Sequence, residues 1–467
     1  MNKITINNQR EPSSFRDPAG FLFDENGVLY RQINPVGIPD YQLLSDSGLY
    51  QQLVEESLLI PHEEITQPHQ DQTTSQIIRP ERIEFISYPY EWCFSQLKHA
   101  ALLTLRIEKK ALSKGMTLKD CSAYNVQFRR GKPIFVDTLS FERYAEGKPW
   151  DAYRQFCQHF LAPLALIAYT DVRLNCLSRD YIDGIPLDLA SQLLGRRSYL
   201  NFGLFVHIHL HARSQNRFAG KDLDPSKLSG KVSLTQLLGL IESLESTILR
   251  LKWSATPKGW AEYESFHNYP EPAMEHKKDL VGKYLEQIRP QIVWDLGANT
   301  GVFSRIASRK GAFTVAFDMD PGAVERNYRQ MQSDKEDKLL PLVVDLSNPS
   351  PALGWAGEER KSLLQRGPSD ATLALALLHH LAIGNNLPFT HLARYFQRVS
   401  RWLIIEFVPK ADVQAARLLR VRKDIFQDYH QEGFERDFGA WFDLVAREDI
   451  RETSRSLYLF KNKTSQD

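Results

Sequence analysis

Cysteine is scarce in this 467-residue chain: Cys93, Cys121, Cys157 and Cys176 are the four, separated by 28, 36 and 19 positions. No C-x-x-C pair occurs, so neither a zinc knuckle nor a disulfide framework is indicated. An excess of charge is also missing. With 58 Lys and Arg against 57 Asp and Glu, there is no global electrostatic pull toward nucleic acid or membrane. Long apolar runs are absent as well. Stretches such as Phe160–Tyr169 fall far short of the ~20 residues that span a bilayer. The opening MNKITINNQREPSS has no apolar core of a signal peptide. The expectation is a soluble, cytoplasmic protein in a reducing compartment, with no membrane insertion and no nucleic-acid partner. Its 42% hydrophobic and 25% charged residues are ordinary for globular chains, and its length implies two or three domains.

The most organised stretch is IVWDLGANTGVFS, Ile292–Ser304, followed by VAFDMDPGAVE from Val315. A short apolar run reaches Asp295, breaks into a turn framed by Gly297 and Gly301, and gives way to a helical pattern at Val302. This is the layout of a strand, a loop that lets backbone approach a ligand, and a helix N-terminus. Asp318 ends a second apolar run 23 residues after Asp295, close to the ~20-residue offset of a ribose-reading carboxylate in a βαβ unit.

From Trp253 onward the pattern alternates strand and helix, which predicts a parallel sheet covered on both faces. Candidate strands end at Asp295, Asp318 and Asp345. Others lie near Thr372–Leu377, Trp402–Phe407, Trp441–Val445 and Ser456–Phe460, the last two close enough to pair antiparallel. Helices are expected near Phe303–Lys310, Pro321–Ser333, Pro388–Val399 and Ala411–Ile425. The fold class is therefore α/β, a Rossmann-like seven-stranded C-terminal domain preceded by an α+β N-terminal one.

The loop D-L-G-A-N-T-G lacks the middle glycine that lets backbone meet a pyrophosphate, which disfavours NAD. An acid before the loop suits a ligand bearing an ammonium group. Asp295, Gly297, Asn299 and Gly301 resemble motif I of class I SAM-dependent methyltransferases. That resemblance implies S-adenosylmethionine as cofactor, Asp318 on its ribose hydroxyls, and Asp345 and Leu346 flanking its adenine. The stretch from Trp260 resembles an N-terminal flap over the methionine end, making Tyr263, Tyr269 and Lys277 candidate contacts. LALALLHHLAIGNN, Leu373–Asn386, resembles the acceptor-lining region of small-molecule methyltransferases. His380 or His379 is then a candidate proton acceptor, since histidine titrates near neutrality, and Glu406 in IIEFVPK a further acceptor-side candidate. No D-P-P-Y signature of adenine methylation is present.

In the first half, GFLFDENGVLYRQI reads as a hairpin turning at Asn26-Gly27. Residues 61–80 read as a polar excursion, and Gln96–Ser113 and Leu234–Leu251 as amphipathic helices. His207, His209 and His211 form H-x-H-x-H, read as packed histidines because no further ligand completes a metal site. In LKDCSAYNVQFRRGKPIFVDTLSFE, Asp120 and Asn125 stand five apart and Asp137 follows twelve later. This resembles the catalytic stretch of protein-kinase-like folds, where such residues serve the hydroxyl proton and the metal. Leu118 stands in the usual His position, and Asp137 is followed by Thr-Leu. The first ninety residues hold one lysine, Lys3, leaving Arg31 as a candidate substitute. The K-D-x-S-x-Y-N segment and the C-terminal half together resemble methyltransferases of rhizobial nodulation contexts.

The resulting divisions are residues 1–90, a small lobe; 91–252, a mostly helical kinase-like lobe; 253–461, a SAM-dependent methyltransferase domain; and a tail, 462–467. The expected function is methyl transfer to a small-molecule or glycan acceptor. Two alternatives stay open: a bifunctional kinase–methyltransferase modifying a glycan end, and a non-catalytic SAM-binding, pseudokinase-like module.

Overall fold

A computed structural model describes residues 10–65, 75–213, 232–254, 270–420 and 423–464. Its contacts divide the chain into two units. The first comprises Met1–Trp253 with Leu353–Arg360, and the second Ser254–Ala352 with Lys361–Asp467.

The first unit begins with an antiparallel sheet of β1 (Gly20–Glu25), β2 (Val28–Ile33), β3 (His62–Ile65) and β4 (Gln76–Pro80), in the order β1-β2-β4-β3. Asn26 and Gly27 both take left-handed backbone, with φ 54° and 80°, the conformation a tight hairpin turn needs. The region 61–80 thus contains two strands where composition alone read an excursion. Next in the chain is the long helix α1 (Phe94–Ser113), whose leucines Leu97, Leu103, Leu105 and Leu112 are buried. Lys98 Nζ donates to the carbonyls of Leu249 and Leu251, at the end of α2 (Leu234–Arg250). Between these helices Tyr153–Tyr169 follows a continuous helical path, passing through a π-helical segment at Cys157–Leu161.

The second unit is a seven-stranded sheet. Its strands are β5 (Ile292–Leu296), β6 (Phe313–Asp318), β7 (Leu339–Val343), β8 (Ser369–Ala374), β9 (Ser400–Phe407), β10 (Phe442–Asp449) and β11 (Ser456–Asn462). The order is β7-β6-β5-β8-β9-β11-β10. The first five in that order are parallel, while β11 runs antiparallel to both β9 and β10. Central strands such as β5 are almost wholly buried, as their unbroken apolar runs require.

On one face lies α3 (Glu271–Ile288), whose Leu280, Val281, Tyr284 and Leu285 pack in a core with Val293, Leu373, Ile404, Leu457 and Leu459. Alternate residues of β11 point to the opposite face. There Tyr458 and Phe460 meet Phe434 and Phe438 of the helix Gln431–Gly439. Helices α4 (Val302–Arg309) and α5 (Pro321–Asp334) follow β5 and β6.

Several boundaries differ from the sequence reading: β8 was expected near Thr372–Leu377 and β10 near Trp441–Val445, and two further shifts have a visible local cause. The strand expected to end at Asp345 stops at Val343, because the Asp345 carboxylate instead accepts from Ser347 N at 2.8 Å and turns the chain. The helix expected over Ala411–Ile425 is Val413–Leu419, started where Asp412 accepts from Gln414 N.

Candidate functional site

Strand order reverses beside β5, since β6 lies on one side of it and β8 on the other. The loops leaving the carboxyl ends of β5 and β8 therefore diverge and open a crevice, the usual ligand position in such sheets. Around it cluster most of the residues singled out from sequence.

The loop after β5 is built on left-handed backbone. Gly297, Asn299 and Gly301 have φ of 77°, 50° and 83°. Gly297 N and Ala298 N both donate to Phe317 O at 2.9 Å, tying the loop to β6. The Asp318 carboxylate completes the tie, accepting from Asn299 N and from Asp320 N at 2.8 Å each. A side chain at Gly301 would bring its Cβ to 2.5 Å from Asn327 Nδ2. Only glycine permits that approach together with the positive φ. The helix α4 starts here without a side-chain cap, so its first amides face the loop with the positive end of the helix dipole. Asn299 Oδ1 is buried without a hydrogen-bond partner.

Asp295 sits beneath the loop and is buried. Its Oδ2 accepts from Ser304 Oγ at 2.5 Å. Burial, reinforced by the neighbouring Asp318 and opposed by Ser304 and Lys277, pushes its carboxyl up to about 6. Asp318 is also held above the ordinary range, chiefly by burial. Asp345 and Leu346 follow β7, both partly exposed.

Lys277 and Glu406 lie in a single buried network. Lys277 Nζ is 2.5 Å from Glu406 Oε2, with side chains 2% and 0% exposed. Arg455 Nη1 meets Glu406 Oε1 at 3.1 Å and also grips Asp412 through Nε and Nη2. Glu406 Oε2 further accepts from Ala376 N at 2.9 Å, where Ala376 itself takes a left-handed φ of 50°. A carboxylate so completely engaged holds the turn after β8 and is not open toward an acceptor. The residues Ser304, Ala376, Asp412 and Arg455 went unnoticed in the sequence, although Ser304 and Ala376 lay inside stretches already singled out.

That turn leads to His379 and His380, whose rings lie 4.1 Å apart. His379 is fully buried, and neither ring nitrogen has a hydrogen-bond partner. Burial, with His380 and Arg455 nearby, drives it well below the usual histidine value. His380 is partly exposed and lowered to about 4 by burial and Arg455. Both rings are thus neutral at neutral pH. Tyr263 and Tyr269 lie outside the described residues.

The first unit also brings its constellation together. Asp120 accepts from Ser122 N and Gln155 Nε2 at 2.8 Å each. Burial and then Asp137 raise its pKa, while a hydrogen bond from Asn125 lowers it. Asn125 Nδ2 donates to Ser140 Oγ at 3.1 Å, and Ser140 Oγ donates to Asp137 Oδ2 at 2.6 Å. Arg31 forms an ion pair with Asp137. Burial works to raise Asp137, but Arg31, Ser140 and the Leu139 amide outweigh it and hold the carboxyl below its ordinary value. The H-x-H-x-H histidines are structural. His207 bridges Tyr153 and Ser243, and His209 bridges Ser191 and Ser198. Among the described residues no group of three or more His, Cys, Asp or Glu could hold a metal ion.

No protein-family model matches the chain. The nodulation protein NoeA of Rhizobium meliloti (strain 1021) is 34% identical over 462 residues, covering 97% of this chain and 96% of NoeA. The chain belongs to the NoeA family. Among solved structures it is similar to the N-methyltransferase NodS from Bradyrhizobium japonicum WM9, at 13% identity and a TM-score of 0.32 over 41% of this chain and 97% of NodS. It is also similar to the magnesium protoporphyrin IX methyltransferase ChlM from Synechocystis PCC 6803 with bound SAH. That match has 16% identity and a TM-score of 0.32 over 46% of this chain and 99% of ChlM. A third match, WbdD, shows 16% identity and a TM-score of 0.31 over 44% of each chain, so the chain covers under half of WbdD. No helix among the described residues is long and apolar enough to cross a membrane.

Proposed function

We propose that the second unit is a Rossmann-like, S-adenosylmethionine-dependent methyltransferase domain acting on a small molecule or glycan. The observation carrying this reading is the loop Gly297–Gly301 clamped by Asp318 at the point where strand order reverses.

The residues present fit the cofactor. The left-handed positions at Gly297, Asn299 and Gly301 keep side chains out of a cradle that backbone can line. Asn299 Oδ1, buried and unpartnered, is a polar atom in need of a donor. Asp318, partly exposed beside it, would take the ribose hydroxyls, with Asp345 and Leu346 at the adenine. Lys277 is committed to Glu406, so its part is to set the field beneath the methionine end. Asp295, buried beneath the loop, acts in the same indirect way. When bound, the cofactor supplies an electrophilic methyl group on a sulfonium.

The chain's own contribution is alignment, exclusion of water and handling of the acceptor's proton. His379 and His380, neutral because burial disfavours their charged forms, can accept a hydrogen bond or proton from an acceptor hydroxyl or amine. Glu406 keeps the turn that presents them in place through Ala376 N.

A second reading takes residues 1–252 as a kinase-like module that phosphorylates the same class of acceptor. The approach of Asp120, Asn125 and Asp137 supports it. The Arg31 ion pair on Asp137 weighs against it, since it engages the carboxylate a metal would need.

Calorimetry on the intact protein tests both readings. SAM is expected to bind and NAD not, and Asp318→Ala is expected to weaken SAM roughly 10- to 100-fold, the worth of hydrogen bonds to a charged group. SAM affinity that Asp318→Ala leaves unchanged sinks the assignment. ATP–Mg²⁺ turnover abolished by Asp137→Ala would establish the second reading.

A further inference from the structure

We propose that the segment Gly195–Arg213 of the first unit docks onto an anionic lipid surface. A 3₁₀ turn, Arg196–Leu200, is followed by the short helix Phe202–Leu204, which Asn201 caps through Leu204 N. Among the described residues, the two most exposed large apolar side chains of the first unit stand close together in sequence here, Leu200 at 89% and Phe202 at 76%. Tyr199, next in the chain to Leu200, and Leu210 are also exposed. Exposed apolar groups gathered in one place mark an interaction surface.

The turn that carries them is rigid. Ser198 is fully buried, donates to Gly195 O at 2.7 Å and bonds His209 Nε2 at 2.9 Å. Tyr199 stacks on the buried His209 ring at 3.8 Å. Gly203 is pressed so closely against Thr247 of α2 that a Cβ there would lie 1.8 Å from Oγ1. Leu200 and Phe202 therefore project from a backbone held in place before binding, which keeps the ordering cost to their own side chains.

Charge identifies the partner. Gly195–Arg213 contains three arginines and no carboxylate. Burial lowers the pKa of His207, His209 and His211, so they stay neutral. The helices packed against the segment carry Asp188, on Leu187–Leu193, and Glu242, beside the Ser243 that bonds His207; Asp171 follows Thr170, whose hydroxyl donates to Leu193 O. It is spent on Arg173 through two side-chain hydrogen bonds. Among the described residues no ion pair engages Arg196, Arg197 or Arg213. Guanidinium groups beside projecting apolar tips and a tyrosine match a bilayer interface, where phosphates meet the cations and the acyl boundary takes the tips. A side chain almost fully exposed needs no complementary pocket on a fluid surface, whereas a protein partner would have to supply one. The attachment is peripheral.

Sedimentation of the intact protein with vesicles tests this, using phosphatidylcholine alone and phosphatidylcholine mixed with phosphatidylglycerol. Binding is expected to the mixed vesicles only and to weaken with salt. Arg196→Gln with Arg197→Gln should lower it by roughly fivefold per charge. Leu200→Ser with Phe202→Ser should lower it at least as much. Both variants should bind SAM like the parent, which also keeps this test separate from the methyltransferase assignment. Absence of binding to the mixed vesicles, or binding that both variants leave intact, overturns the proposal. Retention of the parent but not the serine variant by an acidic protein, without vesicle binding, assigns the surface to that partner and overturns it equally.

Discussion

Lys277 and Glu406 form an ion pair of 2.5 Å in which neither side chain reaches solvent. Lys277 comes from the helix before β5 and Glu406 from the end of β9, so the pair fastens a covering helix to the sheet. Glu406 faces two cations, Lys277 and Arg455, while Arg455 has a second anion in Asp412. The two halves of the pair are therefore not equivalent. Glu406→Ala strands Lys277 in the interior and frees the Ala376 amide, and is expected to cost about 3–5 kcal/mol. Lys277→Met leaves Glu406 with Arg455 and should cost clearly less. Urea denaturation of both variants checks the order, and equal losses would show that Glu406 is not the hub.

Gly301 is the tightest point of the loop. Its φ of 83° and the nearby Asn327 amide together exclude a side chain. Gly301→Ala is expected to destabilise the second unit by about 1–3 kcal/mol and to weaken SAM in calorimetry. Gly357 also has positive φ but open space around it. Gly357→Ala should leave SAM affinity unchanged, and a comparable loss there would mean that conformational strain alone, rather than the cradle, was being read.

How far the sequence reveals this arrangement depends on chain distance. Asp295, Gly297, Asn299, Gly301 and Asp318 fall within one strand–loop–helix–strand stretch, where spacing dictates geometry, and the structure gathers them at one loop. Asn26-Gly27 was legible for the same reason, since the turn needs those backbone angles. Glu406 was noticed but its role was not. Its partners Lys277 and Arg455 come from distant parts of the chain, and such pairing leaves no periodic trace. The helix Gln431–Gly439 escaped because Gly433 interrupts its pattern and the capping group is His430 Nδ1, a weak start signal. Two strands hidden in 61–80 pair by backbone, which polar side chains do not announce.

His159 and His207 are held to about 4, in each case by burial first. Their neutral forms are favoured by folding. The stability they confer is fully present above the unfolded value near 6.5. It declines as pH falls from there and levels off below about 4. Each contributes a loss of about 2 kcal/mol by pH 5 relative to pH 7. His207→Gln keeps hydrogen-bonding capacity toward Tyr153 and Ser243 but cannot titrate. It should narrow the difference between urea unfolding at pH 7 and pH 5 by about that amount. An unchanged difference would mean that folding leaves the titration of His207 where it is in the unfolded chain.

Arg31 and Asp137 give the same sign from a different cause. Asp137 is held below its ordinary value, and the stability it provides is present above the unfolded carboxyl pKa and lost as pH falls through the folded one. Arg31 is the counter-charge that offsets its burial. In Arg31→Ala the largest opposition to burial is removed, the Asp137 carboxyl rises, and the first unit should lose about 3 kcal/mol at neutral pH. Acidification toward pH 5 should then recover part of that loss, because protonation removes the stranded charge, whereas the parent shows no such gain from this group. Arg31→Lys keeps the charge without the planar fork and should fall between the two. Denaturation series at pH 7 and pH 5 separate these outcomes. If Arg31→Ala is as stable as the parent at both, Asp137 is satisfied by Ser140 and Leu139 alone, and the ion pair contributes nothing.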